Sequence, residues 1–453
     1  MATRDLTVGK PLPVLVRFSV PVICGNLFQL FYTLADSIIV GRTIGENALA
    51  AVGATGVFVY FILCFIQGFT NGFSILLAQA FGLKDGTGVK KSIVASTYLS
   101  LFFSVVITIP ACAATGLVVK AMQVPSEISS DAYMYLFIIV AGTGATIWYN
   151  MISNILRALG DSRTPLVYLV VSSLLNIGLD VVFIMPCGMG VAGAAYATVA
   201  SQLISALLCT VSAYRRFDEM HVERELWSFD RAVASKHFRL GFLMGFQMSV
   251  MCIGQLVVQS CVNTLGTSAI AGYTAATKVD QLSVLVNNAF GMAIASYVAQ
   301  NYGAHRYDRI GQGTQASLVM VLSSNVFMAV LLFCIEPFVV PLFMTAPSSA
   351  AFAFSNTFFR ITLPFYPILG LLLIYRTSLQ SMGVSWAPFA ACIVELFARV
   401  GASLVLSRWF GYAGIVFSSP LAWIGADLVV IPVYYMAMRR FGTGLRSNSK
   451  ATS

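Results

Sequence analysis

Apolar residues in this chain neither alternate with polar ones nor keep to one stripe of a helix. They run on for about twenty positions at a time, the length that crosses a hydrocarbon core of roughly 30 Å as a helix. Short clusters of charge, glycine or proline interrupt the runs. Twelve such runs predict membrane spans at 13–40, 48–80, 93–119, 133–156, 165–185 and 191–214, then at 240–265, 269–298, 316–335, 358–375, 387–406 and 415–438. Only a helix satisfies its own backbone in a medium without water, so the pattern predicts an all-α polytopic membrane protein of twelve transmembrane helices.

Composition agrees. Of 453 residues 58% are hydrophobic and 10% charged, with a mean hydropathy of +0.82. A soluble domain carries about 25% charged residues, so a soluble enzyme, a nucleic-acid-binding domain and a disordered tail are excluded as the main reading. The nine cysteines fall in or beside apolar runs, odd in number and without paired spacing, and read as small core residues. Residues 1–13 lead into the first span with no cleavage site, which predicts a retained first helix and no cleaved signal peptide.

The net charge of +9 is a matter of topology. With the N-terminus inside, twenty of the 27 basic residues fall in inside segments, Arg376 among them; Arg42, Lys120 and Arg408 fall outside, and Arg17, Lys278, Arg360 and Arg399 within spans. By the positive-inside bias both termini are expected in the cytoplasm, and a nucleic-acid role is set aside. The charge-rich stretch 215–239 divides the spans six and six. It reads as a cytoplasmic linker between an N-lobe, 1–214, and a C-lobe, 240–453, that ends in a basic tail.

The halves are copies of one another. A shift of 221 aligns Gly45 with Gly266, Ala48 with Ala269, Ala78-Gln79 with Ala299-Gln300, Gly82 with Gly303, and Gly190 and Gly193 with Gly411 and Gly414. A shift of 223 aligns Leu156, Gly160, Ser162 and Pro165 with Leu379, Gly383, Ser385 and Pro388. Six spans per copy is an even number, so the repeat is parallel. Two six-helix bundles about a central cavity suit alternating access, although channels are duplicated too.

Ionisable groups within the hydrocarbon are functional candidates. Lys278 and Asp280 can share a polar pocket, and Glu395 and Arg399, at i and i+4, can pair along one helix. Both sets read as self-neutralising pairs or as lining of the substrate cavity; Asp427 has no evident partner. Asp36 and Asp180 have no basic residue within a helical turn or two. Counting 1.5 Å per residue from the span ends puts Asp36, Asp180 and Thr198 within about 5 Å of one depth, with Asn176 one turn from Asp180. Two carboxylates, an amide and a hydroxyl form an all-oxygen set that suits sodium, or a proton shared between like charges. Separate capping of each carboxylate by backbone or water is the alternative. Asn26, Gln29, Thr33 and Asp36 form a polar stripe that must face protein or a water-filled cavity. The repeat places Val257 opposite Asp36 and Ser403 opposite Asp180, so the carboxylate pair belongs to the first half alone.

His221, His237 and His305 are all expected in loops, which leaves no intramembrane zinc or haem ligand set. There is no phosphate-binding lysine motif for ATP hydrolysis, and no serine elbow for a membrane-embedded hydrolase. No cofactor is expected beyond a coupling ion.

Three segments carry a family resemblance: Leu34-Ala35-Asp36-Ser37-Ile38-Ile39-Val40-Gly41, Leu159-Gly160-Asp161-Ser162-Arg163-Thr164-Pro165 and Ala299-Gln300-Asn301-Tyr302-Gly303-Ala304. In this order and at these span ends they resemble the multidrug and toxic compound extrusion (MATE) family. The run Ala275-Ala276-Thr277-Lys278-Val279-Asp280 resembles its bacterial branch close to the MepA-type pumps. The resemblance implies a cell-membrane antiporter, not an enzyme, that exports lipophilic organic cations in exchange for protons or sodium. It carries the ion-coupling role onto Asp36, Asn176, Asp180 and Thr198. The substrate cavity then takes Asn26, Gln29, Thr33, Gln247, Asp280 and Glu395, Gln247 standing where some members have a glutamate. A monomer in the lipid bilayer with small-molecule substrates is expected. Lipid-linked oligosaccharide flippases of the wider superfamily are the rival reading; those tend to have more spans and basic cavities, whereas the unpaired charges here are acidic.

The orientation has a direct test in a cysteine-free background. Single cysteines at Lys120 and Arg408 are expected to react with an impermeant thiol reagent from outside, and those at Lys90, Arg224 and Arg440 to be protected; the reverse pattern would overturn it.

Overall fold

The computed structural model describes residues 5–340 and 349–451, with side chains at 32–38, 41, 42, 46, 49, 339, 349 and 442–451 left out of the description. The described residues form thirteen α-helices: α1 Pro11–Thr43, α2 Glu46–Gly82, α3 Gly86–Ala121, α4 Ser126–Ala141, α5 Thr143–Ala158, α6 Arg163–Ile184, α7 Gly190–Arg216, α8 Arg231–Asn263, α9 Thr267–Gly303, α10 Tyr307–Val339, α11 Ser349–Thr362, α12 Tyr366–Ser381 and α13 Trp386–Ala451. All twelve expected spans fall on them. The fourth span is the pair α4 and α5, bent by 42°, and the tenth is α11 and α12 around a single 3-10 turn, Leu363–Phe365. The last two spans share α13, which is interrupted at Gly411 (φ 55°, ψ −130°).

The repeat is written into the backbone. Gly45 and Gly266 precede α2 and α9 with φ of 119° and 96°, and Gly190 and Gly411 begin the sixth and twelfth spans with 57° and 55°. These left-handed conformations are open to glycine and costly for other residues. Lys84 and His305, also 221 apart, share φ near 60° (60° and 56°) after α2 and α9. The break at Gly142 in the fourth span has its counterpart in the turn Leu363–Phe365 of the tenth. Packing repeats as well: α2 lies on α3, α4 and α5 as α9 lies on α10, α11 and α12.

The chain divides into two compact units whose boundaries depart from the expected lobes. Unit 1 holds Val20–Ser249; unit 2 holds Leu6–Ser19 with Val250–Ser453. Each unit therefore takes in the opening segment of the other half. In unit 2, Leu6 is buried, its N–H donating to Gln300 Oε1 at 2.9 Å and its carbonyl accepting from Asn301 Nδ2 at 3.3 Å. Arg306 Nη1 donates to the carbonyl of Thr7 at 3.1 Å. In unit 1 the corresponding strap is the segment before α8. Tyr98 Oη donates to the Trp227 carbonyl at 2.8 Å, Lys91 pairs with Asp230 at 3.1 Å, and Lys90 pairs with Glu223. The Lys90 ammonium holds the Glu223 carboxyl below its ordinary range. The Val233 N–H and then Lys91 do the same for Asp230, so these contacts hold at neutral pH and weaken as pH falls through the carboxylate range.

Residues 231–239, expected within the linker, are helical. Asp230 Oδ1 caps the first turn by accepting from the N–H groups of Ala232 and Val233 at 3.1 and 3.2 Å. Ala234, His237, Leu240 and Met244 then bury one face at helical spacing, which places His237 on α8 and in the core rather than in a loop. That face meets α2 at a glycine-lined crossing. A Cβ at Gly68 would lie 2.5 Å from the Met244 carbonyl oxygen, one at Gly72 2.5 Å from Gly241 Cα, and one at Gly241 2.8 Å from the Phe69 carbonyl oxygen. Two pairs of glycines four apart thus bring the backbones into contact, in the manner of helices that associate where hydrophobicity gives no drive. Phe65, Phe69, Phe73, Phe103, Phe238 and Phe242 close around the crossing, with Phe69 and Phe103 4.0 Å apart.

Gly72→Ala is expected to lower the thermal stability of the purified protein by about 1–3 kcal/mol, the ordinary cost of overpacking. Gly53→Ala, where a Cβ meets nothing within 4 Å, serves as the control and is expected to be neutral or slightly stabilising. Equal melting of the two variants would show that the crossing is not tight.

Candidate functional site

The fifth and sixth spans of unit 1, α6 and α7, form a tight hairpin. Gly190 turns the chain, and Gly193 lets the start of α7 press on the end of α6, where a Cβ would stand 3.2 Å from the Phe183 carbonyl carbon. The hairpin brings Asn176 and Asp180 of α6 against Thr198 of α7, with Asn176 1% and Asp180 0% exposed. The amide orientation that satisfies both neighbours has Asn176 donating to Asp180 Oδ2 at 3.1 Å and accepting from the Thr198 N–H at 3.2 Å. In the opposite orientation the amide nitrogen lies 3.4 Å from Thr198 Oγ1. In the first of these the amide thus supplies a hydrogen-bond donor to the Asp180 carboxylate.

A hydrophobic cluster of Val40, Ala48, Ile184, Val191 and Ala194 caps this end of the bundle. Ile184 lies one helical turn beyond Asp180, Ala194 one turn before Thr198, and Val40 four residues beyond position 36. The ends of α1 and α6 and the start of α7 therefore meet at one level. The side chains of Asp36 and Thr33 lie outside the described residues. Elsewhere on α1, Asn26 is half-buried and Gln29 exposed, and Gly25 packs on α6, with Leu169 Cδ2 3.3 Å from a Cβ built there. Gln247 is buried on α8 in unit 1. Among the described residues no three His, Cys, Asp or Glu side chains are grouped to hold a metal ion.

The charges of unit 2 are arranged differently from one another. Lys278 is exposed, while Asp280 accepts a hydrogen bond from Tyr366 Oη, so the two do not share a pocket as a pair. Glu395 pairs with Arg399 at 2.9 Å, as their spacing on one helix allows, and also with Arg376 at 2.6 Å. Both of its carboxylate oxygens are thereby occupied. Arg376, which the charge pattern puts in an inside loop, belongs to α12 and has a side chain only 11% exposed. A basic side chain at the end of an apolar run can fold back to a carboxylate on the next span, and this contact between helices leaves no trace in hydropathy. Tyr366 is the other site residue that sequence reasoning missed. Asp427 is buried and interacts electrostatically with Arg376 and Glu395, without a hydrogen-bond partner for either oxygen among the described residues.

Two of the quoted sequence motifs have structural work. Asp161 Oδ1 accepts from the N–H groups of Arg163 and Thr164 at 2.9 and 3.0 Å and so opens α6, while Gln300 and Asn301 hold the N-terminal strap. Removing the phenol at Asp280 is expected to be costly. Tyr366→Phe should destabilise the protein by about 1–3 kcal/mol, the cost of withdrawing a donor from a buried acceptor, and Lys278→Ala by much less. Thermal melts of the purified variants check this, and equal losses would contradict it.

A family model described as MatE matches residues 21–182 and 244–424, most of both halves. The "Probable multidrug resistance protein YpnP" of Bacillus subtilis is 29% identical over 418 residues, covering 92% of this chain and 93% of that protein. The "Multidrug export protein MepA" of Staphylococcus haemolyticus is 22% identical, covering 94% of each. Among solved structures, a MOP superfamily transporter from Pyrococcus furiosus matches with a TM-score of 0.90 at 24% identity, over 98% of this chain and 99% of that one. The duplicated twelve-span architecture and the family match, each running through both halves, agree: the chain belongs to the MatE family of multi-pass membrane transporters.

Proposed function

We propose that the protein exports lipophilic organic cations across the cell membrane in exchange for protons or sodium ions, by alternating access, with both termini in the cytoplasm. The observation that carries this reading is Asp180, fully buried in a helical hairpin, with the Asn176 amide one turn before it against its carboxylate and Thr198 of α7 against that amide. A carboxylate at membrane depth is expensive, and such residues mark ion and proton pathways. A proton or a sodium ion taken up there neutralises it, and release on the other side restores it. Asp36, one turn before the cluster-forming Val40, adds the second carboxylate of the proposed site, with Asn176 and Thr198 completing its oxygens. The proposed substrate-binding positions are Asn26, Gln29, Thr33 and Gln247 in unit 1 and, separately, Asp280 and Glu395 in unit 2.

The energetics suffice. Each charge moved through 100 mV of membrane potential contributes about 2.3 kcal/mol, roughly a fifty-fold concentration ratio. The names of the relatives support small-molecule drugs as substrates.

Proteoliposomes energised in turn by a proton and by a sodium gradient test the proposal. Wild type is expected to expel ethidium under at least one of them. Asp180→Asn and Asp36→Asn should each reduce that export by about tenfold or more with unchanged melting, because the amide keeps the shape and removes the exchangeable charge. Asn176→Ala and Thr198→Ala should weaken it more mildly. Full gradient-driven export by the double Asp36→Asn, Asp180→Asn variant would overturn the site, and no dye movement by wild type would overturn the function.

A further inference from the structure

The strap before α8 is rich in charge, yet its two large aromatic side chains stay outside the core: Trp227 is 41% exposed and Phe229 59%. Both rings meet Tyr98 of α3 edge-on, with centroids 6.3 and 5.9 Å away, and Tyr98 Oη holds the Trp227 carbonyl. Tyr98 heads a stripe on α3. Phe102, Val105 and Ile109 follow it at steps of four, three and four, and all three are exposed. On a helix that spans a membrane, an exposed apolar stripe of this kind faces lipid. The two rings of the strap therefore cap the end of a lipid-facing surface.

Charge marks the level at which they do so. Glu223 pairs with Lys90 and Asp230 with Lys91, so both ends of this loop are held near the start of α3. Its middle reaches Tyr98, two turns further along α3, or about 10 Å by helix rise. Leu226 and Phe229 line a small cavity with Val94 and Tyr98, which seats the loop against that helix. Beyond the loop α8 continues the pattern. Phe238 and Phe242 are exposed and stacked 5.7 Å apart, Phe238 lies 5.9 Å from Phe103 of α3, and the exposed Lys236 and Arg239 flank it.

We infer that Trp227 and Phe229 enter the phospholipid headgroup layer at this end of unit 1 and make the strap an interfacial anchor, with Lys236 and Arg239 reaching lipid phosphates. Aromatic rings with one apolar side and one wet side settle at that level, and long basic side chains beside them extend to the headgroups. The partner is a zwitterionic lipid surface. Residues 217–230 carry Asp218, Glu219, Glu223, Glu225 and Asp230 against Arg224 alone, an acidic balance that gives the strap no attraction for anionic lipid. An anchor here fixes the start of α8 relative to the bilayer, whichever solute is exported.

The test uses the full-length protein in phosphatidylcholine vesicles, with the lipid brominated either near the headgroup or near the chain end. The difference in emission between wild type and Trp227→Phe isolates this ring from Trp148, Trp386, Trp409 and Trp423. Bromine near the headgroup is expected to lower that difference signal by about twofold or more, bromine near the chain end to lower it less, and iodide in the water to leave most of it. Phe229→Trp, introduced into the Trp227→Phe protein, supplies a second probe and is expected to be quenched in the same order. Quenching by iodide with no effect of either brominated lipid would put the strap in water and overturn the anchor. Indifference to all three quenchers would overturn it as well, since protein would then cover the rings, and stronger quenching from the chain end would place them too deep for an interface.

Discussion

Hydrocarbon offers no hydrogen bonds, and every polar group placed in it must find its partner within the protein. The backbone meets this demand by staying helical, and the departures from helix are confined to places where side chains or turns make amends. The same demand explains the polar side chains. Many serines and threonines along the spans return their hydroxyls to carbonyls a turn earlier, as Ser19 does to Leu15 and Thr70 to Ile66 at 2.8 Å, while others, such as Ser100 and Ser403, have no partner among the described residues. The carboxylates Asp180, Asp280, Glu395 and Asp427 need more than this local solution, and three of them draw partners from residues outside their own turn.

The twelve spans were legible because bilayer thickness fixes the length of an apolar run, and the repeat because glycines are needed where the chain turns left-handed. The grouping of Asn176, Asp180 and Thr198 was legible for a simpler reason: α6 and α7 are sequence neighbours in a hairpin, so depth counted from a shared turn converts into proximity. Arg376 was not legible. Its position at the edge of a span reads as a loop charge, and only the packing of α12 on α13 turns it toward Glu395. The start of α8 escaped for a related reason, since Lys236 and Arg239 make it look like linker while Ala234, His237 and Leu240 bury the opposite face.

Duplication gives two copies of one backbone, and the sequence has since treated them unequally. Gly190 and Gly411 keep the same turn, and Gly142 and Leu363–Phe365 the same break, because these shape the bundle. Asn176 and Arg399, at corresponding positions, differ in charge and in partners: the amide meets Asp180 and the guanidinium meets Glu395. A scaffold constrained in its turns and free in its polar positions can carry an amide beside a carboxylate in one half and an ion-pair network in the other without a change of fold.

The exchange of opening segments has a consequence for how the protein is made. Unit 1 includes residues up to Ser249, so spans one to six do not hold their complete partner set when they are synthesised. The bare glycine face of α2 at Gly68 and Gly72 waits for Gly241 and Gly245, which are synthesised long after it. Leu6 waits longer still, for Gln300 and Asn301, which follow it by 294 and 295 residues. The α2 crossing and the N-terminal strap can close only while the second half is being made.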